Sequence, residues 1–190
     1  MTIDASDLPA VSRAIAHALR HDPAAYGLRL DAEGWAPLDA LVEALRRVTP
    51  AWAALDRDDL ARMMAAATKQ RYEVAGDRIR AAYGHSVPNK IERAAAQPPA
   101  LLYHGTAPGA VAAILREGLR PMDRQQVHLS ADLDTARQVG TRKAPRPALL
   151  VVDAAAADAA GVPFYPGGGP VWLADAVPCQ FLRLFGPPGE

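Results

Sequence analysis

Tyr72-Glu73-Val74-Ala75-Gly76-Asp77-Arg78-Ile79-Arg80 decides how the first half of the chain folds. Aromatic and β-branched residues flank Ala75-Gly76-Asp77, so the stretch reads as strand, turn and strand, with glycine and aspartate supplying a tight connection. Toward the N-terminus the pattern becomes helical. Leu8, Val11, Ile15 and Leu19 recur at helical spacing in alanine-rich sequence, which predicts an amphipathic helix ending near Arg20-His21. Asp31 to Gly34 reads as a turn between Leu28-Arg29-Leu30 and Trp35. Beyond it Leu41, Val42, Leu45 and Val48 share one helical face, and Pro50 ends that helix. Asp56 or Asp58 caps a third helix holding Leu60, Met63 and Met64. Helices followed by a small hairpin make a winged-helix-like module.

Toward the C-terminus, Val87 to Pro99 holds Pro88, Pro98 and Pro99 among polar and alanine residues, and reads as a linker. The pattern then changes. Short strands are expected at Leu101 to His104, Val127 to Ser130, Ala148 to Asp153 and Val171 to Leu173, alternating with short helices. One helix starts at Pro108 and stops at Gly118; the next is capped by Asp132 and stops at Gly140. The fold class is therefore α+β with short mixed or antiparallel sheets, in two lobes, 1–92 and 93–190.

Bulk properties narrow the functional classes. Half of the 190 residues are hydrophobic and 22% are charged, which supports a packed core. Lys and Arg together number 21, as do Asp and Glu, so no global charge draws the chain to nucleic acid or membrane. Any anion site must be built from local residues. Cys179 is the single cysteine, and no basic segment with a long apolar run opens the chain, so neither a disulfide framework nor a secretory signal is expected. The apolar run from Ala148 to Ala157 is interrupted by Asp153 and is far shorter than the ~20 residues that span a bilayer. A cytoplasmic chain without a membrane partner is expected, and a monomer, because no long apolar stripe is evident.

Several segments carry chemistry. Arg20-His21 stands where a helix finishes; cations there interact favourably with the helix dipole, and the same pair grips a phosphate through the planar fork of arginine. Arg78 and Arg80 lie two apart on a strand and share a face, either solvated or directed to an anion. Gly84-His85-Ser86 adds a permissive turn and two polar side chains. Tyr103-His104-Gly105-Thr106 ends a strand with a histidine and then backbone donors that a glycine leaves open, unless His104 is a satisfied core residue and Thr106 a cap. Gln126, His128 and Ser130 share one face of a strand after Arg124, and need partners that a ligand would supply. No phosphate loop, dinucleotide fingerprint, HExxH or paired-cysteine site is present, and the five histidines are too scattered for a metal site by spacing. A metal-free, phosphate-directed site built from arginines remains.

In this order the segments resemble the RNA 2′-phosphotransferase family, enzymes that finish tRNA splicing in eukaryotes and occur also in bacteria and archaea. The resemblance begins at Ser12 and Leu19-Arg20-His21 and continues through Gly27-Leu28-Arg29-Leu30-Asp31-Ala32-Glu33-Gly34-Trp35. It includes Arg78-Ile79-Arg80-Ala81 with Gly84-His85-Ser86, then Leu102-Tyr103-His104-Gly105-Thr106, Gly118-Leu119, Met122, Arg124, Val127-His128-Leu129-Ser130 and Val171-Trp172-Leu173. It covers roughly residues 10 to 182. High alanine, arginine and proline usage points to a bacterial member.

The resemblance implies a winged-helix lobe for RNA and phosphate over 1–92 and an ADP-ribosyltransferase-like, NAD⁺-binding lobe over 93–190. It places a catalytic phosphate-binding tetrad on Arg20, His21, Arg80 and Arg124, with Arg78, His85 and Ser86 beside the substrate. The NAD⁺ pocket falls on His104, Gly105, Thr106, His128 and Ser130. NAD⁺ is consumed and no metal is required. The RNA 2′-phosphate attacks C1″ of the nicotinamide ribose and expels nicotinamide; O2″ then attacks phosphorus, giving RNA 2′-OH and ADP-ribose 1″,2″-cyclic phosphate. Two positions depart from the family pattern: Tyr83 stands where glutamine is frequent, and Gln126 where histidine is frequent. Tyr83 is expected to stack on a flanking nucleotide.

Two other functions suit parts of this pattern. An ADP-ribosyltransferase acting on a terminal nucleic-acid phosphate, a protein or a small molecule would use the same pocket. Val171-Trp172-Leu173 lacks the Glu-x-Glu pairing of many arginine-modifying relatives, which disfavours a protein target. A non-catalytic winged-helix sensor of NAD⁺ or ADP-ribose would not need the arginine and histidine set.

Overall fold

The computed structural model describes residues 3–67 and 69–186. The chain divides into two compact units, Met1–Glu92 and Arg93–Glu190. Both mix helices with antiparallel strands.

In the first unit, α1 (Leu8–Arg20) buries Val11, Ile15, Ala18 and Leu19, the face that the helical spacing predicts. A short strand β1 (Trp35–Pro37) leads directly into α2 (Leu38–Val48), whose buried face is Leu38, Leu41, Val42, Ala44 and Leu45. Val48 departs from its expected place. At the last position of the helix it is 50% exposed, because the chain turns away at Thr49 before that side chain meets the core. Asp56, rather than Asp58, caps α3 (Arg57–Ala65) in a capping box: Asp59 N–H donates to Asp56 Oδ1 at 2.9 Å and Asp56 N–H to Asp59 Oδ2 at 3.1 Å. Replacing Asp56 with alanine removes the acceptor for a helix N–H, and is expected to cost about 1 kcal/mol in urea unfolding.

The hairpin is β2 (Tyr72–Ala75) and β3 (Arg78–Ala81), and the sheet order is β1-β3-β2. The Gly76-Asp77 loop sets the register that pairs Glu73 with Arg80 and Val74 with Ile79, while Trp35 lies opposite Arg80 on the other side. Its turn has a second role, since Asp77 C=O accepts the Leu38 N–H at 2.7 Å and satisfies a donor at the start of α2. Tyr72, Ile79 and Ala81 join the helices in one core. Alternation puts Glu73, Arg78 and Arg80 on the opposite face.

In the second unit regular structure begins only after residue 100, the stretch 82–100 across the boundary holding none. Its elements are β4 (Leu101–Thr106), α4 (Val111–Glu117), β5 (Val127–Ser130), α5 (Leu133–Gly140), β6 (Ala148–Asp153), α6 (Ala154–Ala159), β7 (Phe164–Pro166), β8 (Val171–Ala174) and β9 (Leu182–Leu184). The six strands form one sheet in the order β7-β8-β5-β4-β6-β9. Leu102, Leu129, Leu150, Val152 and Phe164 centre its core. Asp132 caps α5 through Thr135 N–H at 2.7 Å, as its sequence position predicts. Asp153, which interrupts the apolar run, caps α6 through Ala156 N–H at 3.0 Å. No helix among the described residues is long and apolar enough to cross a membrane.

Candidate functional site

In the first unit, the end of α1 is tied to the segment after β3. Gly84 adopts φ +88°, a conformation costly for any side chain with a Cβ, and turns the chain back toward the helix. Ser86 N–H then donates to Arg20 C=O at 2.8 Å, and Ser86 Oγ lies 2.7 Å from His21 Nδ1. The Arg20 guanidinium lies 4.9 Å from the Tyr83 ring centroid and 5.8 Å from that of Tyr72, and its Nη2 donates to Arg71 C=O at 3.3 Å. Arg20, His21, Gly84 and Ser86 are thus brought together. His85 is buried between them in sequence, at 1% exposure. Tyr83, read in the sequence as a platform for a nucleotide, presents its ring to Arg20.

Arg80 belongs to a second set on the open face of the hairpin. Its Nε and Nη2 donate to Glu73 Oε2 at 2.9 and 2.6 Å, its Nη1 to Glu33 C=O at 3.4 Å, and its guanidinium lies 4.4 Å from the Trp35 ring centroid. Arg78 lies against the same ring at 5.2 Å and pairs with Asp31 at 3.5 Å. Sequence reasoning missed Glu73, Glu33 and Trp35 as the surroundings of Arg80. The signal was available: a two-residue Gly-Asp loop pairs positions 73 and 80, which carry opposite charges.

In the second unit, β4 and β6 share six register pairs, whereas β4 and β5 share only Tyr103↔Ser130. The two strands therefore part beyond Tyr103. His104 bridges the opening, its Nδ1 2.9 Å from His128 C=O. A carbonyl accepts only, so Nδ1 carries the proton. Burial pushes the His104 pKa down, more than the His128 carbonyl bond holds it up, and the positive charge of Lys143 lowers it further. A neutral His104 then presents Nε2 as an acceptor. Since the folded chain disfavours protonation of this ring relative to the ordinary imidazole value of 6.5, stability is fully present above that pH and is lost as pH falls below it. Wild type is expected to lose melting temperature between pH 7 and pH 5 more steeply than His104→Asn, measured by thermal unfolding across that range.

The strand extends through Thr106, so His104 lies within it rather than at its end. Gly105 has a further reason to be glycine beside the one read in the sequence. A Cβ there would stand 2.2 Å from Ala136 C=O and 2.9 Å from Gly140 Cα, so its bare backbone lets α5 pack directly on β4. Thr106, Gln126 and Ser130 are buried and His128 half-buried. Gln126 precedes β5, while Val127 and Leu129 enter the core and leave His128 and Ser130 on the other side. Arg124 is exposed on a turn closed by its N–H to Pro121 C=O at 3.1 Å. Met122 in that turn has φ +54°, a conformation for which glycine is favoured.

The profile of the family described as "RNA 2'-phosphotransferase, Tpt1 / KptA family" matches residues 6–176. The chain belongs to the RNA 2′-phosphotransferase family. A protein of Acetivibrio thermocellus named "Probable RNA 2'-phosphotransferase" is 46% identical over 178 residues, covering 94% of this chain and 97% of its own. Proteins of the same printed name from Agrobacterium fabrum, 46% identical with 92% and 93% covered, and Streptomyces griseus, 44% identical with 93% and 96% covered, match equally along their length. These relatives are bacterial.

This member of the RNA 2′-phosphotransferase family keeps both sets of side chains within that match. Among the described residues no group of three or more His, Cys, Asp and Glu could hold a metal ion. Lys143, which acts on His104, was also missed in the sequence; it is far from His104 along the chain, and the turn after α5 brings it near.

Proposed function

We propose that the chain removes an internal 2′-phosphate from RNA by transferring it to NAD⁺, which is consumed as a substrate. The observation that carries this reading is the joining of Arg20 and His21 to Ser86 by the Gly84 turn. A guanidinium and an imidazole set at one place on fixed backbone form an anion site of the kind a phosphate monoester requires. Family membership supports the substrate class.

The first unit is read as a winged-helix-like lobe for RNA and its phosphate, the second as an ADP-ribosyltransferase-like lobe for NAD⁺. The chemistry of the second unit suits a dinucleotide. His104 Nε2 is an acceptor for a ribose hydroxyl, at the place where β4 parts from β5. When bound, NAD⁺ supplies an electrophilic C1″ and a neutral leaving group. The RNA 2′-phosphate attacks that carbon and nicotinamide departs, leaving ADP-ribosylated RNA 2′-phosphate. Ribose O2″ then attacks phosphorus and the RNA 2′-oxygen leaves, giving RNA 2′-OH and ADP-ribose 1″,2″-cyclic phosphate.

Arg20 and His21 orient the phosphate and take up charge on its oxygens. Arg80 exchanges its Glu73 partner for phosphoryl oxygens, and Arg124 is assigned to the same phosphoryl-transfer step, as the family resemblance implies. Alanine at Arg80 or Arg124 is expected to slow the second step most, so that ADP-ribosylated RNA accumulates in a gel-based time course. A variant that turns over at the wild-type rate without accumulation contradicts the role of the residue replaced.

A further inference from the structure

Residues 135–152 hold Arg137, Arg142, Lys143 and Arg146 and no aspartate or glutamate, in a chain whose 21 basic and 21 acidic side chains balance only when taken as a whole. All four are exposed, and no carboxylate among the described residues forms an ion pair with any of them. The helix dipole accounts for Arg137 in the last turn of α5, but not for three more cations in the turn that follows. That turn is fixed: Lys143 N–H donates to Gly140 C=O at 2.8 Å. Pro147 packs against Gly140, which itself contacts Gly105.

Beside this turn is a groove of about 560 Å³, lined by Arg137, Thr141, Arg146, Leu184 and Phe185 among others. Its volume is in the range that holds small organic ligands. Phe185 is 41% exposed yet held in place, with its N–H donating to Leu149 C=O at 2.8 Å and its ring meeting the Tyr103 ring edge-on at 6.4 Å. An aromatic ring fixed at the surface, with arginines around it, has the two components of sequence-tolerant single-strand recognition: a surface for a base and cations for the backbone.

From this juxtaposition we infer that the groove between the C-terminal end of α5 and the β6–β9 edge is an RNA subsite, taking one unpaired nucleotide with its base on Phe185 and its phosphate on Arg137 and Arg146. It lies outside the residues assigned to the reaction. An acidic peptide would use the cations but has no need of a rigid aromatic face, and the Phe185 ring decides for RNA. The inference rests on RNA being the substrate; it adds a second point of attachment to the one proposed for the 2′-phosphate.

The test compares a single-stranded RNA of about 12 nucleotides bearing one internal 2′-phosphate with a 2′-phosphorylated dinucleotide, using wild type, Arg137→Ala/Arg146→Ala, Phe185→Ala and Phe185→Trp. The double arginine variant is expected to bind the longer RNA about tenfold more weakly, with the slope of log affinity against log salt shallower by about 1.4. Phe185→Ala is expected to weaken binding about tenfold at an unchanged slope, and Phe185→Trp to restore it. Turnover of the dinucleotide stays at the wild-type level in all of them. Arg146→Glu, at an exposed position, gives the same answer should Phe185→Ala fail to fold. Affinity for the longer RNA within twofold of wild type in every variant overturns the subsite. So does unchanged RNA binding with lost binding of poly-glutamate, which moves the groove to a protein partner. Wild type that binds the longer RNA but turns over neither substrate fails the proposed reaction instead, and the binding comparison still decides the groove.

Discussion

Arg20→Ala is expected to lower NAD⁺-dependent release of the RNA 2′-phosphate by about 100- to 1,000-fold, the usual effect of removing one preorganised donor from a site where charge develops. The Arg20 guanidinium donates to the Arg71 carbonyl and lies by two tyrosine rings, at the end of a helix whose apolar face is buried elsewhere. The melting temperature should therefore move by only a few degrees, and far-UV circular dichroism should not change. Arg20→Lys keeps the charge and the stem but loses the planar fork, so it recovers only part of the rate. The split between parameters is informative. A lower kcat at unchanged KM assigns Arg20 to the transition state, whereas a higher KM alone would make it a binding residue. Normal turnover in Arg20→Ala would remove it from the site.

Gly105→Ala is expected to be the most destabilising single methyl in the second unit. The added carbon would stand 2.2 Å from the Ala136 carbonyl oxygen, and the obstacle is helix backbone rather than the end of a flexible side chain. Either α5 lifts from β4 or the strand bends away, and cores resist both. A cost of about 3 kcal/mol or more is expected, which for a chain of this size lowers the melting temperature by roughly 10 °C. Urea unfolding followed by circular dichroism measures it. Unchanged stability with lost NAD⁺ binding would return Gly105 to the ligand-facing role that its place between His104 and Thr106 suggests in the sequence.

The contrast at Gly105 shows where sequence reading stops. Elements whose signal is local were legible. The end of α1 follows from the spacing of Val11, Ile15 and Leu19, and the cap at Asp132 and the hairpin at Gly76-Asp77 from turn and capping chemistry. Elements whose cause lies elsewhere in the chain were not. The three-residue strands β1, β7 and β9 are too short for a period and exist because a partner strand pairs with them. Asp153 looked like an interruption of an apolar run because capping of α6 depends on where β6 ends.

The site divides in the same way. Residue types and order marked His104 and Arg80, but not what surrounds them. That His104 donates through Nδ1 follows from the parting of β4 from β5, and that Arg80 is paired with Glu73 follows from the register of the hairpin. Neither the tautomer nor the ion pair is a property of the residue alone, and both set what the side chain offers to a substrate.

The most direct test incubates the pure protein with a short RNA carrying one internal 2′-phosphate, with and without NAD⁺, and follows nicotinamide, RNA and ADP-ribose products by chromatography and mass spectrometry. The account predicts loss of the phosphate only with NAD⁺, one nicotinamide released per RNA 2′-OH formed, and ADP-ribose 1″,2″-cyclic phosphate as the other product. Phosphate loss without NAD⁺, or stable ADP-ribosyl transfer with the RNA phosphate retained, would contradict it.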